Sequence, residues 1–160
     1  MATKATVTAI GKRVPDLHGD STAGTIRLSQ FRGQPLVVYF YPKDNTPGCT
    51  REAQDFRDLA AKFSKHKAVV LGVSRDSLKS HEGFRARQAL DFALVSDADE
   101  TWCKAFDVIH EKVLYGKRHL GVVRSTFLID ADGRLQREWR GVKVPGHAAE
   151  VLAALAAEPA

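Results

Sequence analysis

Two uninterrupted apolar runs, at residues 36–41 and 68–73, constrain how this chain folds more than any other feature. Both are rich in β-branched and aromatic residues and do not alternate with polar ones, which is typical of strands buried on both faces of a sheet. Between them, apolar residues recur at helical spacing from Ala53 to Phe63 and form one apolar face. The segment is therefore predicted to be a βαβ unit with two parallel strands and a right-handed crossover.

The remaining patterns extend this unit into a larger sheet. An Asp-Gly turn follows residues 126–129 and predicts a β-hairpin. Residues 1–33 are polar and punctuated by glycine, and only an extended segment at 14–17 is expected there. Strands are predicted at 92–95, 126–129 and 134–142, and helices at 77–89, 99–106 and 147–157. We expect an α/β protein, a thioredoxin-like mixed β-sheet flanked by helices, in a single domain spanning 1–160.

Length and composition exclude several other classes of protein. A chain of 160 residues has the size of one domain, and 44% hydrophobic with 27% charged residues is typical of a globular protein. No apolar run approaches the roughly 18 residues that cross a bilayer, and the first residues lack the pattern of a secretory signal. Two cysteines are too few to staple a small secreted scaffold. We expect a cytoplasmic protein with reduced thiols and no membrane association.

Charge and histidine spacing give no sign of nucleic-acid or metal binding. The net charge is +5, but basic side chains interleave with acidic ones and no nucleic-acid recognition module is present. The six histidines lack the spacing of metal ligands. No nucleic acid, metal or other cofactor is therefore expected.

Cys49 lies where a reactive thiol is expected. Thr46 is a good helix N-cap and Pro47 suits the first helical position, so that Cys49 falls in the first turn. The unpaired N–H groups and the positive end of the helix dipole favour a thiolate there. Gly48 allows a small ligand to approach the backbone. The alternative, an inert buried cysteine, is disfavoured by the polar, turn-rich surroundings.

The run at residues 41–50, Tyr-Pro-Lys-Asp-Asn-Thr-Pro-Gly-Cys-Thr, carries a resemblance to a known family. It resembles the active-site signature of the peroxiredoxins, Pro-x-x-x-Thr-x-x-Cys, at Pro42, Thr46 and Cys49. The longer run is similar to the bacterioferritin-comigratory, or Q-type, subfamily, and further similarity is found at residues 15–17, 96–97 and 124–130. The resemblance implies a thioredoxin-like fold and thiol-dependent reduction of hydrogen peroxide and organic hydroperoxides.

The resemblance also implies a role for each matching residue. Cys49, as a thiolate, attacks a peroxide oxygen and becomes a sulfenic acid. The Thr46 hydroxyl binds the peroxide or the thiolate, and Pro42 shields the site from water. Arg124 matches the active-site arginine, which holds the thiolate and polarises the O–O bond. Without the resemblance, an arginine before a buried strand is typical of a solvated strand end. The N–H groups of Gly48 and Cys49 are expected to help bind the peroxide.

Glu52 and the overall activity each leave alternatives open. Glu52, one turn after Cys49, either orients Arg124 through an ion pair or complements the helix dipole. A Cys49 nucleophile would also suit a hydrolase with a histidine base. A non-catalytic thioredoxin-like binding or chaperone domain is the other alternative.

The second cysteine departs from the common Q-type pattern. Many members carry a resolving cysteine five residues after the reactive one or in the next helix, but this chain has Gln54 at the first position and Arg85 near the second. Cys103 adjoins an apolar helical face and is expected to be structural, with a resolving role as the alternative. We expect a one-cysteine mechanism in a monomer or weak homodimer. An external thiol (thioredoxin, glutaredoxin or glutathione) would then reduce the sulfenic acid.

Overall fold

The computed structural model describes residues 8–157, which form nine strands and five α-helices. The N-terminal half contains β1 (His18–Ser21), β2 (Gly24–Arg27), a 3-10 turn (Leu28–Phe31), β3 (Leu36–Phe40), α1 (Pro47–Asp58), α2 (Ala60–Lys65) and β4 (Val69–Ser74). The C-terminal half contains α3 (Leu78–Gln88), β5 (Ala93–Ser96), α4 (Thr101–Ala105), β6 (Ile109–Leu114), β7 (Lys117–Val122), β8 (Ser125–Ile129), β9 (Leu135–Arg140) and α5 (His147–Ala157).

Seven of the strands form one mixed sheet in the order β2-β1-β5-β4-β3-β8-β9. The central strand β3 pairs in parallel with β4 and antiparallel with β8, and β4 pairs in parallel with β5. The predicted parallel pair and the predicted C-terminal hairpin, β8 with β9, are both present. The expectation of a mixed sheet flanked by helices is therefore confirmed.

The sheet separates two hydrophobic clusters because neighbouring side chains on β3 point to opposite faces. Val37 and Tyr39 pack in the cluster that α1, α3 and α5 cover. Val38 and Phe40 pack in the cluster that α4 covers. All four side chains are fully buried, which explains why the strand shows no polar alternation.

Several boundaries differ from the sequence predictions. The helix expected to continue to Phe63 is divided, because Leu59 leaves helical geometry (φ −98°, ψ 6°) between α1 and α2. The hairpins β1–β2 and β6–β7 were not predicted. Most residues of both hairpins face solvent on at least one side, so their sequences lack a long apolar pattern. Within residues 8–157, no helix is long and apolar enough to cross a membrane.

Candidate active site

Cys49 is the third residue of α1 and lies at the helix end, as predicted. The first intrahelical bond runs from the Thr50 N–H to the Thr46 carbonyl at 2.9 Å. The N–H groups of Gly48 and Cys49 therefore precede the helical ladder and point out of the helix end. The Cys49 side chain is buried, with 1% exposure, in the cluster beneath α1. Its sulfur thus combines low solvent access with a positive helix terminus.

Thr46 occupies the N-cap position but does not cap the helix with its side chain, contrary to the expected capping role. Its hydroxyl donates instead to the Lys43 carbonyl, with Oγ1 and the carbonyl oxygen 2.8 Å apart. Because the hydroxyl proton is committed to Lys43, the lone pairs of Oγ1 are what Thr46 can offer to a ligand. Thr46 is therefore arranged to accept a hydrogen bond from a bound molecule.

Arg124 reaches the sulfur from the segment between β7 and β8. Its Nη1 lies 3.5 Å from Cys49 Sγ and 2.8 Å from Glu52 Oε1. Burial alone would lower the pKa of Arg124, but the charges of Glu52 and Cys49 outweigh it and raise that pKa. The Arg124 side chain is only 17% exposed, and its guanidinium stays charged beside the thiol.

Glu52 is a buried carboxyl group, 1% exposed, paired with Arg124. Burial raises the pKa of Glu52 to about 7, although the Arg124 charge and hydrogen bond oppose this shift. Its second oxygen, Oε2, has no hydrogen-bond partner among the described residues. The sequence left two roles open for Glu52, an ion pair with Arg124 or a complement to the helix dipole, and the structure contains the ion pair. The catalytic importance of that pair remains a prediction.

Gly48 borders the site, and Pro42 lies in the loop that leads to it. A Cβ added to Gly48 would lie 3.1 Å from Arg124 Nη2, a closer approach than nearly all real Cβ contacts. Glycine therefore allows the guanidinium to lie against the first turn of α1. Pro42 is partly buried and begins the loop that leads from β3 to that turn.

Cys103 lies on the other face of the sheet from Cys49. It packs with α4 in the cluster around Val38 and Phe40, and both cysteines are free thiols. Burial, followed by the nearby charge of Asp97, raises the pKa of the Cys103 thiol far above its ordinary value. The structure therefore does not bring Cys103 to the site, and its thiol stays protonated.

Asp44, Asp76 and His81 form a buried polar group behind the loop, for which the sequence contains no recognisable signature. One ligand atom from each lies within 4.8 Å of the others, so these are the residue types and spacing that a metal could use. However, the candidate ligand atoms already form hydrogen bonds with each other and with neighbouring residues. Asp44 Oδ2 lies 2.7 Å from His81 Nδ1, and Asp76 Oδ2 accepts from the Asp44 N–H at 2.9 Å.

Comparisons with known proteins agree with this geometry. The family model described as "AhpC/TSA family" matches residues 10–138. The chain belongs to this family, the peroxiredoxins. A "Peroxiredoxin Bcp" of Xanthomonas campestris is 59% identical over 143 residues, covering 89% of both chains. A protein of the same name from Bacillus subtilis is 48% identical over 147 residues, covering 91% of this chain and 94% of its own.

Solved structures give the same result for the fold. The bacterioferritin comigratory protein of Xanthomonas campestris, studied for its alkyl peroxide reduction activity, superposes with a TM-score of 0.87 at 51% identity and covers 95% of this chain and 98% of its own. The peroxiredoxin Q of Xylella fastidiosa gives a TM-score of 0.89 at 48% identity, over 94% and 96% of the two chains. The thioredoxin-like fold is confirmed, and the enzyme is a thiol peroxidase rather than a hydrolase or a binding domain.

Proposed function

We propose that this peroxiredoxin reduces hydrogen peroxide and organic hydroperoxides by a one-cysteine mechanism in which Cys49 is oxidised. The observation that carries the proposal is the 3.5 Å approach of Arg124 Nη1 to Cys49 Sγ at the N-terminus of α1. The guanidinium and the helix terminus both place positive charge beside this sulfur, and the thiolate is the nucleophilic form of a cysteine. The alkyl peroxide activity of the Xanthomonas campestris relative supports organic hydroperoxides as substrates.

The chemical step follows from the groups around the sulfur. The thiolate attacks the terminal oxygen of the hydroperoxide, so that an S–O bond forms as the O–O bond breaks. Cys49 becomes a sulfenic acid, and the departing oxygen takes a proton and leaves as water or an alcohol. Arg124 and the N–H groups of Gly48 and Cys49 stabilise the negative charge that moves along this line. Thr46 Oγ1 accepts the hydroperoxide O–H, because its own proton is donated to Lys43, and Pro42 limits access of water.

An external thiol completes the cycle in this proposal. Cys103 packs on the opposite face of the sheet, so it has no short path to a Cys49 sulfenic acid. A first external thiol forms a mixed disulfide with Cys49 and releases water, and a second restores the Cys49 thiol. Thioredoxin, glutaredoxin and glutathione are the proposed reductants. Four further expectations stay predictions. The protein is expected to be a monomer or weak homodimer, to form a single domain spanning 1–160, to be cytoplasmic, and to bind neither nucleic acid nor metal.

Intact mass after one equivalent of hydrogen peroxide, measured without reductant, tests the mechanism directly. We expect wild-type protein and Cys103→Ser to gain one oxygen, and Cys49→Ser to gain none. Digestion should place the added oxygen on Cys49. A loss of two hydrogens with a Cys49–Cys103 peptide would contradict the one-cysteine route. Oxidation of Cys49→Ser to the same extent as wild type would contradict the assignment of Cys49.

Arg124→Ala tests the electrostatic part of the proposal. Losing the guanidinium removes the main side-chain charge facing the sulfur, so the rate constant for peroxide reduction should fall by about 100-fold or more. Arg51→Ala is a suitable control because that arginine lies exposed on the same helix and pairs with Asp55. Full activity of Arg124→Ala would refute the role of Arg124.

A further inference from the structure

The loop between β3 and α1 is fastened to α3 through the buried carboxylate of Asp44. Tyr41 donates its hydroxyl to Asp44 Oδ1 at 2.7 Å. Ser80, on α3, donates to Asp44 Oδ2 at 2.8 Å, and His81 Nδ1 lies 2.7 Å from the same oxygen. The side chains of Asp44 and His81 are 1% and 0% exposed. Such a network orders the loop because water does not compete for its hydrogen bonds.

The ring of His81 is placed between two acceptors. Its Nδ1 faces Asp44 Oδ2, and its Nε2 lies 2.9 Å from the Val95 carbonyl oxygen. Burial alone would raise the pKa of Asp44, but hydrogen bonds from His81, Tyr41 and Ser80 outweigh it and lower that pKa, so the carboxyl group is ionised. A carboxylate and a carbonyl oxygen can only accept hydrogen bonds, so His81 faces an acceptor at each of its two ring nitrogens.

One peptide group connects this buried pair to Thr46. The N–H of Asp44 donates to Asp76 Oδ2 at 2.9 Å, and the carbonyl on the other side of the same peptide, that of Lys43, accepts the Thr46 hydroxyl at 2.8 Å. Since a peptide group is planar, the hydrogen bond on the Asp44 N–H also fixes the direction of the Lys43 carbonyl, and the bonds on the Asp44 side chain hold this residue in place. The carbonyl in turn sets the direction of the Thr46 O–H bond, and with it the direction of the lone pairs left free on Oγ1.

We propose that His81 and Asp44 are positioning residues for peroxide reduction: the buried, hydrogen-bonded His81–Asp44 pair orients the Thr46 hydroxyl through the peptide between Lys43 and Asp44. The inference rests on the proposed function of Cys49 and Thr46. Neither His81 nor Asp44 touches the peroxide. Their substitution should therefore slow attack on peroxide while leaving the reactivity of the Cys49 thiolate itself in place.

Two substitutions of His81 separate its two hydrogen bonds. In His81→Asn, the amide N–H lies close to the position of Nδ1, so the donor to Asp44 is kept and the donor to Val95 is lost. In His81→Gln, the amide N–H lies close to the position of Nε2, so the donor to Val95 is kept and the donor to Asp44 is lost. Both variants lose the imidazole ring. Two rates are measured for each variant: oxidation of Cys49 by hydrogen peroxide and alkylation of Cys49 by iodoacetamide, which needs the thiolate but not Thr46.

We expect His81→Gln to lower the peroxide rate constant by about 10- to 100-fold, the range for a misplaced reacting group, and His81→Asn to lower it much less. The iodoacetamide rate should change by less than about two-fold in both variants. Any of three results would overturn the proposal: equal peroxide rates in the two variants, parallel changes of the peroxide and iodoacetamide rates, or a wild-type peroxide rate in His81→Gln. If wild-type Cys49 resists peroxide altogether, the proposed function itself fails, which is a distinguishable result.

If His81→Gln fails to fold, two serine variants at the start of α3 test the same proposal. Ser80→Ala removes one donor to Asp44, whereas Ser77→Ala removes the cap that Ser77 Oγ provides to the Ser80 N–H at 3.1 Å. Both changes affect the start of α3, but only the first touches Asp44. Ser80→Ala should lower the peroxide rate relative to the iodoacetamide rate, and Ser77→Ala should not. Equal effects would show that helix stability, and not the contact with Asp44, controls the rate.

Discussion

Arg124 Nη1 faces two groups that compete for its positive charge. The thiol sulfur of Cys49 lies 3.5 Å away, and the carboxyl oxygen of Glu52 lies 2.8 Å away. When Glu52 is ionised, it shares the guanidinium with the thiolate; when it is protonated, the sulfur faces the cation without that competitor. The protonation of one buried carboxyl group therefore adjusts the electrostatics at the reactive atom.

The titration of Glu52 predicts a specific dependence of stability on pH. Burial raises its pKa from 4.5 to about 7, so between these values the folded protein holds a proton that the unfolded chain has lost. The free energy of unfolding should therefore fall as pH rises through this window, by up to about 3 kcal/mol, and the contribution should be constant above it. Urea unfolding between about pH 5 and about pH 8 measures the slope.

Glu52→Gln provides the control for this titration. An amide does not ionise, so the variant should lack the part of the slope that Glu52 contributes while keeping the contributions of all other groups. The difference between the two proteins isolates one side chain. Identical slopes for wild type and Glu52→Gln would contradict the raised pKa.

At the scale of elements, the first turn of α1 is shaped to receive a guanidinium. Pro47 begins the helix without an N–H of its own, and Gly48 has no Cβ where Arg124 Nη2 approaches. A larger residue at position 48 would preserve the helix but push the cation away from its N-terminus. Glycine at position 48 therefore lets the arginine lie against the helix end without displacement.

Gly48→Ala tests this fit between helix and arginine. The added Cβ would lie 3.1 Å from Arg124 Nη2, so the guanidinium must move by a few tenths of an ångström. We expect the rate constant for peroxide reduction to fall by roughly 10-fold, because small displacements of catalytic groups are costly. Thermal stability should not fall in parallel, since alanine is the better helix former.

A double-mutant cycle provides the control for Gly48→Ala. In an Arg124→Ala background the clash partner is gone, so Gly48→Ala should have little further effect on the peroxide rate. Additive effects of the two substitutions would mean that position 48 acts on the rate independently of Arg124.

At the scale of the whole molecule, the sheet separates two cysteines with different surroundings. Cys49 belongs to the first turn of α1 and packs on one face of the sheet beside a charged arginine. Cys103 belongs to α4 and packs on the other face, and its N–H donates to Asp97 Oδ2 at 2.8 Å. A direct disulfide between them would require the chain to unfold around the sheet, and this separation is the physical basis for proposing an external reductant.

Cys103→Ala should therefore affect stability and not catalysis. Removing the buried sulfur leaves a small cavity, which costs about 1 kcal/mol of the free energy of unfolding. Steady-state peroxidase activity with thioredoxin or glutathione should match that of wild type. Loss of turnover in Cys103→Ala, with the first oxidation of Cys49 still intact, would instead assign Cys103 a resolving role.

Local sequence was sufficient to predict the central βαβ unit and the place of Cys49. The buried strands differ from their predicted bounds by a residue or so, because uninterrupted β-branched and aromatic runs fit only a strand covered on both faces. The start of α1 was predicted correctly because a Thr-Pro pair favours a helix start through the backbone of adjacent residues, which the local sequence shows. The hairpins β1–β2 and β6–β7 escaped prediction because largely exposed strands need little apolar pattern.

Only the tertiary structure decided which distant side chains meet Cys49. Arg124 is 75 residues away in the chain and was expected at the site from family resemblance alone, whereas the link from Asp44 to His81, 37 residues apart, had no local signature. The face on which each cysteine lies was likewise undetermined until the sheet assembled. Helix starts and buried strands depend on interactions between chain neighbours, but a catalytic site depends on which elements pack together, and that is settled by burial of the whole sheet.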